Sequence, residues 1–222
     1  MSSKALIIGG SNGLGLELAK LFKHEYSQVI VTGRTEPSLP GLTFVELALG
    51  SGKGFPQLMD WLIAKHSPFD LVVYNPGFYQ EGKISELTDK QIIDMNIVGF
   101  AAAALLMQRI MKKQDLLSCF VAITSTSQWT PREYEPIYTA VKAALGMFAN
   151  SLALDPRIKK TLVVAPSGMQ TKFWQHTDKD TSEMLDPAWV AAEIMELLAS
   201  DFSYKHAAIL RKPPRVEIID IR

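Results

Sequence analysis

Tyr138-Thr139-Ala140-Val141-Lys142 places a phenol and an ammonium four residues apart, on one face of any helix that holds them. A cation beside a phenol favours the phenolate and lowers its pKa. Ser125 stands thirteen residues before Tyr138, at the end of the apolar run Phe120-Val121-Ala122-Ile123-Thr124, which reads as a buried strand. A hydroxyl, an acidified phenol and an amine brought together make a proton-transfer site suited to carbonyl or alcohol chemistry. The Tyr-x-x-x-Lys spacing alone is not selective, because Tyr79 and Lys83 repeat it. That second pair lies among Gly77 and Gly82, in a stretch that reads as loop, and the position thirteen before Tyr79 is His66. Context therefore selects Tyr138.

The elements that must position these groups alternate between two periods. Short β-rich runs occur at Leu6–Ile8, Val29–Thr32, Phe44–Leu47, Leu71–Tyr74, Phe120–Thr124, Leu162–Ala165 and Ala208–Leu210. Helical patterns occupy Leu14–His24, Phe55–His66, Asp89–Lys113, Ile137–Leu154 and Pro187–Ser200. Alternation of this kind predicts an α/β protein: a Rossmann-type, doubly wound parallel sheet of about seven strands with helices on both faces. Strands that are apolar nearly throughout agree with a sheet covered on both sides. Thr88 with Gln91 reads as a capping box, and Asp186-Pro187 as an N-cap followed by proline at the first helical position. Between Arg34 and Thr43 two prolines and a glycine forbid a crossover helix, so that connection is expected to be a trimmed loop.

Composition sets the outer bounds. A chain of 222 residues with 47% hydrophobic content suffices for one domain with a buried core, spanning residues 1–222. Lys+Arg 23 balances Asp+Glu 23, so neither nucleic acid nor an anionic membrane is an expected partner. Cys119 is the only cysteine, which excludes an intramolecular disulfide, and no metal site is read. A strand pattern starting at Ala5 leaves no room for a signal peptide, and the expectation is a soluble cytoplasmic protein.

Gly9-Gly10-Ser11-Asn12-Gly13-Leu14-Gly15 follows the first strand and opens the first helix. Glycines there permit a tight turn and let backbone amides approach a pyrophosphate at a helix N-terminus. The second strand ends Thr32-Gly33-Arg34. A site that prefers NAD places a carboxylate at this point, on the ribose diol. Gly33 offers no acid to repel a 2′-phosphate and Arg34 offers a guanidinium to bind it, so NADP is favoured, with NAD possible.

The spacing Gly9-x-x-x-Gly13-x-Gly15, with Tyr138 and Lys142, resembles the short-chain dehydrogenase/reductase family, and the resemblance runs over essentially the whole chain. It implies reversible hydride transfer between NADP(H) and a small-molecule carbonyl or alcohol. It implies Asn96, Ser125, Tyr138 and Lys142 as the catalytic set, with Lys142 also on the nicotinamide ribose and the main-chain carbonyl of Asn96 on a water that reaches the lysine. The family's threonine before the first glycine is Ile8 here, and a hydrogen bond lost from the turn is the expected consequence. The family's Asn-Asn-Ala-Gly after the fourth strand corresponds to Tyr74-Asn75-Pro76-Gly77, and Pro-Gly-x-Val-x-Thr to Pro166-Ser167-Gly168-Met169-Gln170-Thr171. By that likeness Asn75, Pro76, Gly77, Pro166, Met169 and Thr171 line the cofactor.

Phe78, Trp129, Tyr134, Phe173 and Trp174 are expected to wall the substrate pocket, and residues 172–186 form a short polar lid that leaves it open. The long alanine- and methionine-rich helices imply a homodimer or homotetramer on the family pattern. Two other readings stay open. One is a non-catalytic NADP-binding regulator or redox sensor on the same fold. The other is an epimerase or dehydratase of the extended branch, disfavoured by the short stretch after Thr171.

Overall fold

The computed structural model describes residues 3–52 and 54–222. Its strands are β1 (Lys4–Ile8), β2 (Gln28–Gly33), β3 (Thr43–Glu46), β4 (Leu71–Tyr74), β5 (Leu117–Ile123), β6 (Ile158–Pro166), β7 (Tyr204–Arg211) and β8 (Pro214–Ile221). They form one sheet in the order β3-β2-β1-β4-β5-β6-β7-β8. All neighbours run parallel except β7 and β8. The antiparallel eighth strand corrects the expected seven. It is exposed along almost its whole length, so its residues show no continuous apolar run of the kind that marks strands covered on both faces.

The helices are α1 (Gly13–Phe22), α2 (Phe55–His66), α3 (Asp89–Asn96), α4 (Ala102–Lys113), α5 (Pro136–Leu152) and α6 (Pro187–Ala199). Alternation along β1 shows how the sheet is sandwiched. Leu6 and Ile8 join the cluster built with α2, α4 and α5, whereas Ala5 and Ile7 join the one built with α1 and α6. The expected caps are in place: Thr88 Oγ1 accepts from Gln91 N at 3.3 Å, and Asp186 Oδ1 accepts from Ala188 N at 2.9 Å. No helix joins β2 to β3, as the two prolines require, yet β3 still pairs with β2 in parallel.

The helix expected over Asp89–Lys113 runs its full length, with a π-helical turn inside it. That turn, Ile97–Ala101, separates α3 from α4. By length and composition this whole stretch could cross a membrane, but Ala102, Ala103, Leu106, Met107 and Ile110 of α4 are buried against the sheet. Gly99 sits in this turn, where a Cβ would lie 2.3 Å from Val141 Cγ2. The missing side chain lets α5 come close, and Val141 belongs to the turn that carries Tyr138 and Lys142.

Candidate active site

The carboxyl ends of β1, β2, β4, β5 and β6 share one rim, the place where open α/β sheets bind ligands. On that rim Gly9 turns the chain with φ of 78°. Its amide donates to Thr32 Oγ1 at 3.3 Å, and the Gly10 amide donates to Thr32 O at 2.8 Å. The hydrogen bond expected to be lost at Ile8 is thus supplied from the neighbouring strand. Asn75 Nδ2 braces the same turn by donating to Gly9 O at 2.9 Å, and the Pro76 nitrogen lies where a Gly9 Cβ would meet it at 3.1 Å.

A Cβ on Gly15 would fall 2.1 Å from Gly9 O, and one on Gly33 would fall 2.3 Å from Ser11 Oγ. Only glycine fits these positions, so backbone rather than side chain faces the rim. Asn12 stands at the N-cap of α1 and turns its amide toward Ser11 Oγ, 3.5 Å away, instead of capping the helix. Leu14 is buried and anchors that first turn in the core. Gly13 opens the helix, and Arg34 is exposed immediately after Gly33. This cradle fits the pyrophosphate and adenosine end of a dinucleotide: main-chain amides at a helix start, with a cation beside them.

The proton-transfer groups meet further along the rim. Lys142 is only 4% exposed, and its Nζ donates to Ile123 O, at the end of β5, at 3.0 Å. The same nitrogen lies 5.8 Å from the centre of the Tyr138 ring. Burial lowers the lysine from 10.5 to about 8. Tyr138 is half-buried, with the Ser125 hydroxyl near enough to act on its titration. Its pKa is pushed up to about 12, first by burial and also by Glu135, against the opposing pull of Ser125 and Arg132. This reverses the expected lysine-lowered phenol. The ammonium is held against the ring face and the strand-end carbonyl, and loss of water outweighs the pull of its neighbours on the phenol.

Geometry separates Ser125 from its hydroxyl neighbours. Thr124 Oγ1 donates inward to Val164 O at 3.0 Å, and Ser127 Oγ accepts from Arg132 Nε at 3.1 Å. Asn96 is exposed, and its Nδ2 donates to Ile92 O at 2.9 Å. It ends α3 directly before the π-helical turn that packs on α5. None of its described hydrogen bonds reaches Lys142.

After Pro166 the chain makes an excursion whose stem is closed by Leu185 N donating to Gly168 O at 3.0 Å and Gln170 N to Leu185 O at 2.9 Å. Within it Thr171 Oγ1 accepts from Phe173 N at 3.3 Å, and Met169 O accepts from Trp174 Nε1 at 3.0 Å. Both of these oxygens are thus engaged inside the excursion. The lid is laid down on the site, not open. A Cβ on Gly77 would meet Phe173 Cε2 at 3.7 Å and Lys142 Nζ at 3.8 Å.

Of the five aromatics expected at the pocket, Phe173 packs on Tyr138, with centroids 5.8 Å apart, and Trp174 packs on Phe173 at 4.8 Å. Trp129 instead stacks on His206 of β7, and Tyr134 lies under Lys83. Phe78 is half-buried and makes no ring contact among the described residues. Tyr79, the partner in the repeated spacing, does reach the site as a wall. Its ring lies 5.8 Å from Phe173 and 5.0 Å from Trp174. Lys179 stands over that ring, bonds the Tyr79 hydroxyl and reaches Glu135 at 3.6 Å. No spacing in the sequence marks Lys179.

A glycine cradle and a Ser-Tyr-Lys cluster on one rim of a doubly wound sheet define a dinucleotide-dependent oxidoreductase fold. The family model described as short chain dehydrogenase matches residues 3–182. The chain belongs to the short-chain dehydrogenase/reductase family of NAD(P)-dependent oxidoreductases that act on alcohols and carbonyls. It is 29% identical to the uncharacterized oxidoreductase DltE of Bacillus subtilis, over 73% of this chain and 68% of that protein. It is 27% identical to the NADP-dependent (R)-specific alcohol dehydrogenase of Lentilactobacillus kefiri, over 70% of this chain and 67% of the relative. A crystal structure of a short-chain dehydrogenase/reductase from Vibrio parahaemolyticus superposes with a TM-score of 0.77 at 27% identity, covering 92% of this chain and 98% of that one.

Proposed function

We propose that the chain is an NADP-preferring reductase of apolar or aromatic carbonyls. The observation that carries the reading is the meeting of Ser125, Tyr138 and Lys142 on the rim that also holds the glycine cradle. Tyr138 gives its proton to the substrate oxygen, and burial, which raises the phenol's pKa, keeps that proton in place until it is donated. Ser125 holds that oxygen by a hydrogen bond and stabilises the charge that develops on it. Lys142 remains charged below about pH 8 and fixes the end of β5 beside the phenol. A bound nicotinamide supplies the hydride.

Exposed Arg34 after an acid-free strand end supports NADP over NAD, as does the NADP dependence of the Lentilactobacillus relative. Tyr79, packed with Phe173 and Trp174 beside the site, supports an apolar, ring-bearing substrate. Exposed Ile93 and Met147 support α3 and α5 as the subunit contact of a homo-oligomer.

The test is oxidation of NADPH and of NADH against a panel of aldehydes, ketones and quinones. NADPH is expected to be used preferentially, and Arg34→Ala is expected to raise its KM about ten- to a hundredfold with little change for NADH. Equal use of both cofactors by the unaltered chain would contradict the preference. Tight binding without turnover of any substrate would favour the sensor reading.

A further inference from the structure

Hydride and proton arrive at the two ends of one C=O bond, about 1.2 Å long, so a hydride-donating ring must lie within a few ångströms of the proton-donating phenol. That space is bounded here by Tyr138, Lys142 and Gly77, and the Phe173 ring packs on Tyr138 and comes 3.7 Å from where a Gly77 Cβ would stand. The excursion that carries Phe173 touches the other end of the groove as well, where a Cβ on Gly13 would meet Thr171 Cγ2 at 3.1 Å. One strap thus spans from the glycine cradle to the catalytic phenol.

We propose that Phe173 is an internal occupant of the slot for the nicotinamide ring, and that a strap over residues 171–184, latched by Lys179, must lift before the dinucleotide enters. The inference rests on the oxidoreductase reading of this site. The latch is physical. Lys179 bonds the Tyr79 hydroxyl, lies 3.7 Å from Glu81 and 3.6 Å from Glu135, and stands over the rings of Tyr79 and Trp174. Three of these partners belong to the loop after β4 and to the residue before α5, so the contact ties the strap to the two walls of the slot. The stem at Gly168, Gln170 and Leu185 is pinned by backbone hydrogen bonds and serves as the fixed end about which the strap turns. A binding-competent state that is only a minor fraction of the protein weakens apparent affinity by that fraction.

The experiment is titration of NADPH into the full chain, followed by its fluorescence, with limited trypsin digestion at Lys172 and Lys179 in parallel. Phe173→Ala is expected to bind NADPH about three- to tenfold more tightly than the unaltered chain. Lys179→Met is expected to shift affinity the same way by a smaller factor, which keeps the test sound should the first variant fold poorly. NADPH is expected to speed cleavage after Lys172 and Lys179, the opposite of a lid that closes over its ligand. Unchanged or weaker binding by both variants, with protection from trypsin, would overturn the strap and leave the function standing. Binding by none of the three proteins would overturn the strap and the cofactor reading together.

Discussion

At Tyr138 and Lys142 the sequence shows which groups meet but not their charge balance. A four-residue spacing announces proximity. Whether the amine acidifies the phenol depends on where the amine points and how much water each group loses, and neither is written in a spacing. Here Lys142 turns to Ile123 O, and both groups shift toward their neutral forms. The lysine leaves a signature in stability. Its pKa is about 8 in the folded chain and 10.5 when free. Below pH 8 both states hold the proton. Between 8 and 10.5 the unfolded state holds more, so unfolding free energy attributable to this group rises with pH. The whole rise is on the order of 3 kcal/mol. Lys142→Met removes it. The variant's stability relative to the unaltered chain is therefore expected to be greatest near pH 7 and to shrink toward pH 10, read by urea denaturation at several pH values. A difference that stays constant with pH would mean the lysine is not desolvated. Thr32 teaches a related lesson: the turn hydrogen bond expected to vanish with Ile8 returns from a residue two dozen positions away, on a strand whose register with β1 no local reading reveals.

At the scale of elements, ends were more legible than interiors. Thr88 and Asp186 announced their helices because capping is local chemistry. The π-helical turn at Ile97–Ala101 was not legible, because it is imposed by packing: Gly99 gives way to Val141 of α5. Gly99→Ala tests that account. The added methyl would stand 2.3 Å from Val141 Cγ2, forcing α3 and α4 away from α5. A loss of about 1–3 kcal/mol is expected, seen as a fall in Tm of several degrees. An unchanged Tm would show that the π-helical turn has another cause. The β8 strand was missed for the complementary reason. An edge strand lacking cover on both faces carries no buried run to read, and its partner β7 was read only over Ala208–Leu210.

For the molecule as a whole, the doubly wound plan is legible because the central strands β1, β2, β4, β5 and β6 alternate between two helical layers and read as largely apolar. Convergence on one rim followed from the fold, since every parallel strand delivers its following loop to the same side. What the strands could not reveal was the posture of the loop after β6, which depends on contacts among Phe173, Tyr79 and Lys179 that are remote in sequence. The central claim is that the hydroxyl of residue 138 is the proton donor of a hydride-transfer site. Tyr138→Phe removes that oxygen and keeps the ring against Phe173. Single-turnover NADPH oxidation with a reactive ketone is expected to slow by about a hundred- to ten-thousandfold, with NADPH affinity held within a few fold. Turnover at the unaltered rate in that variant would contradict the account.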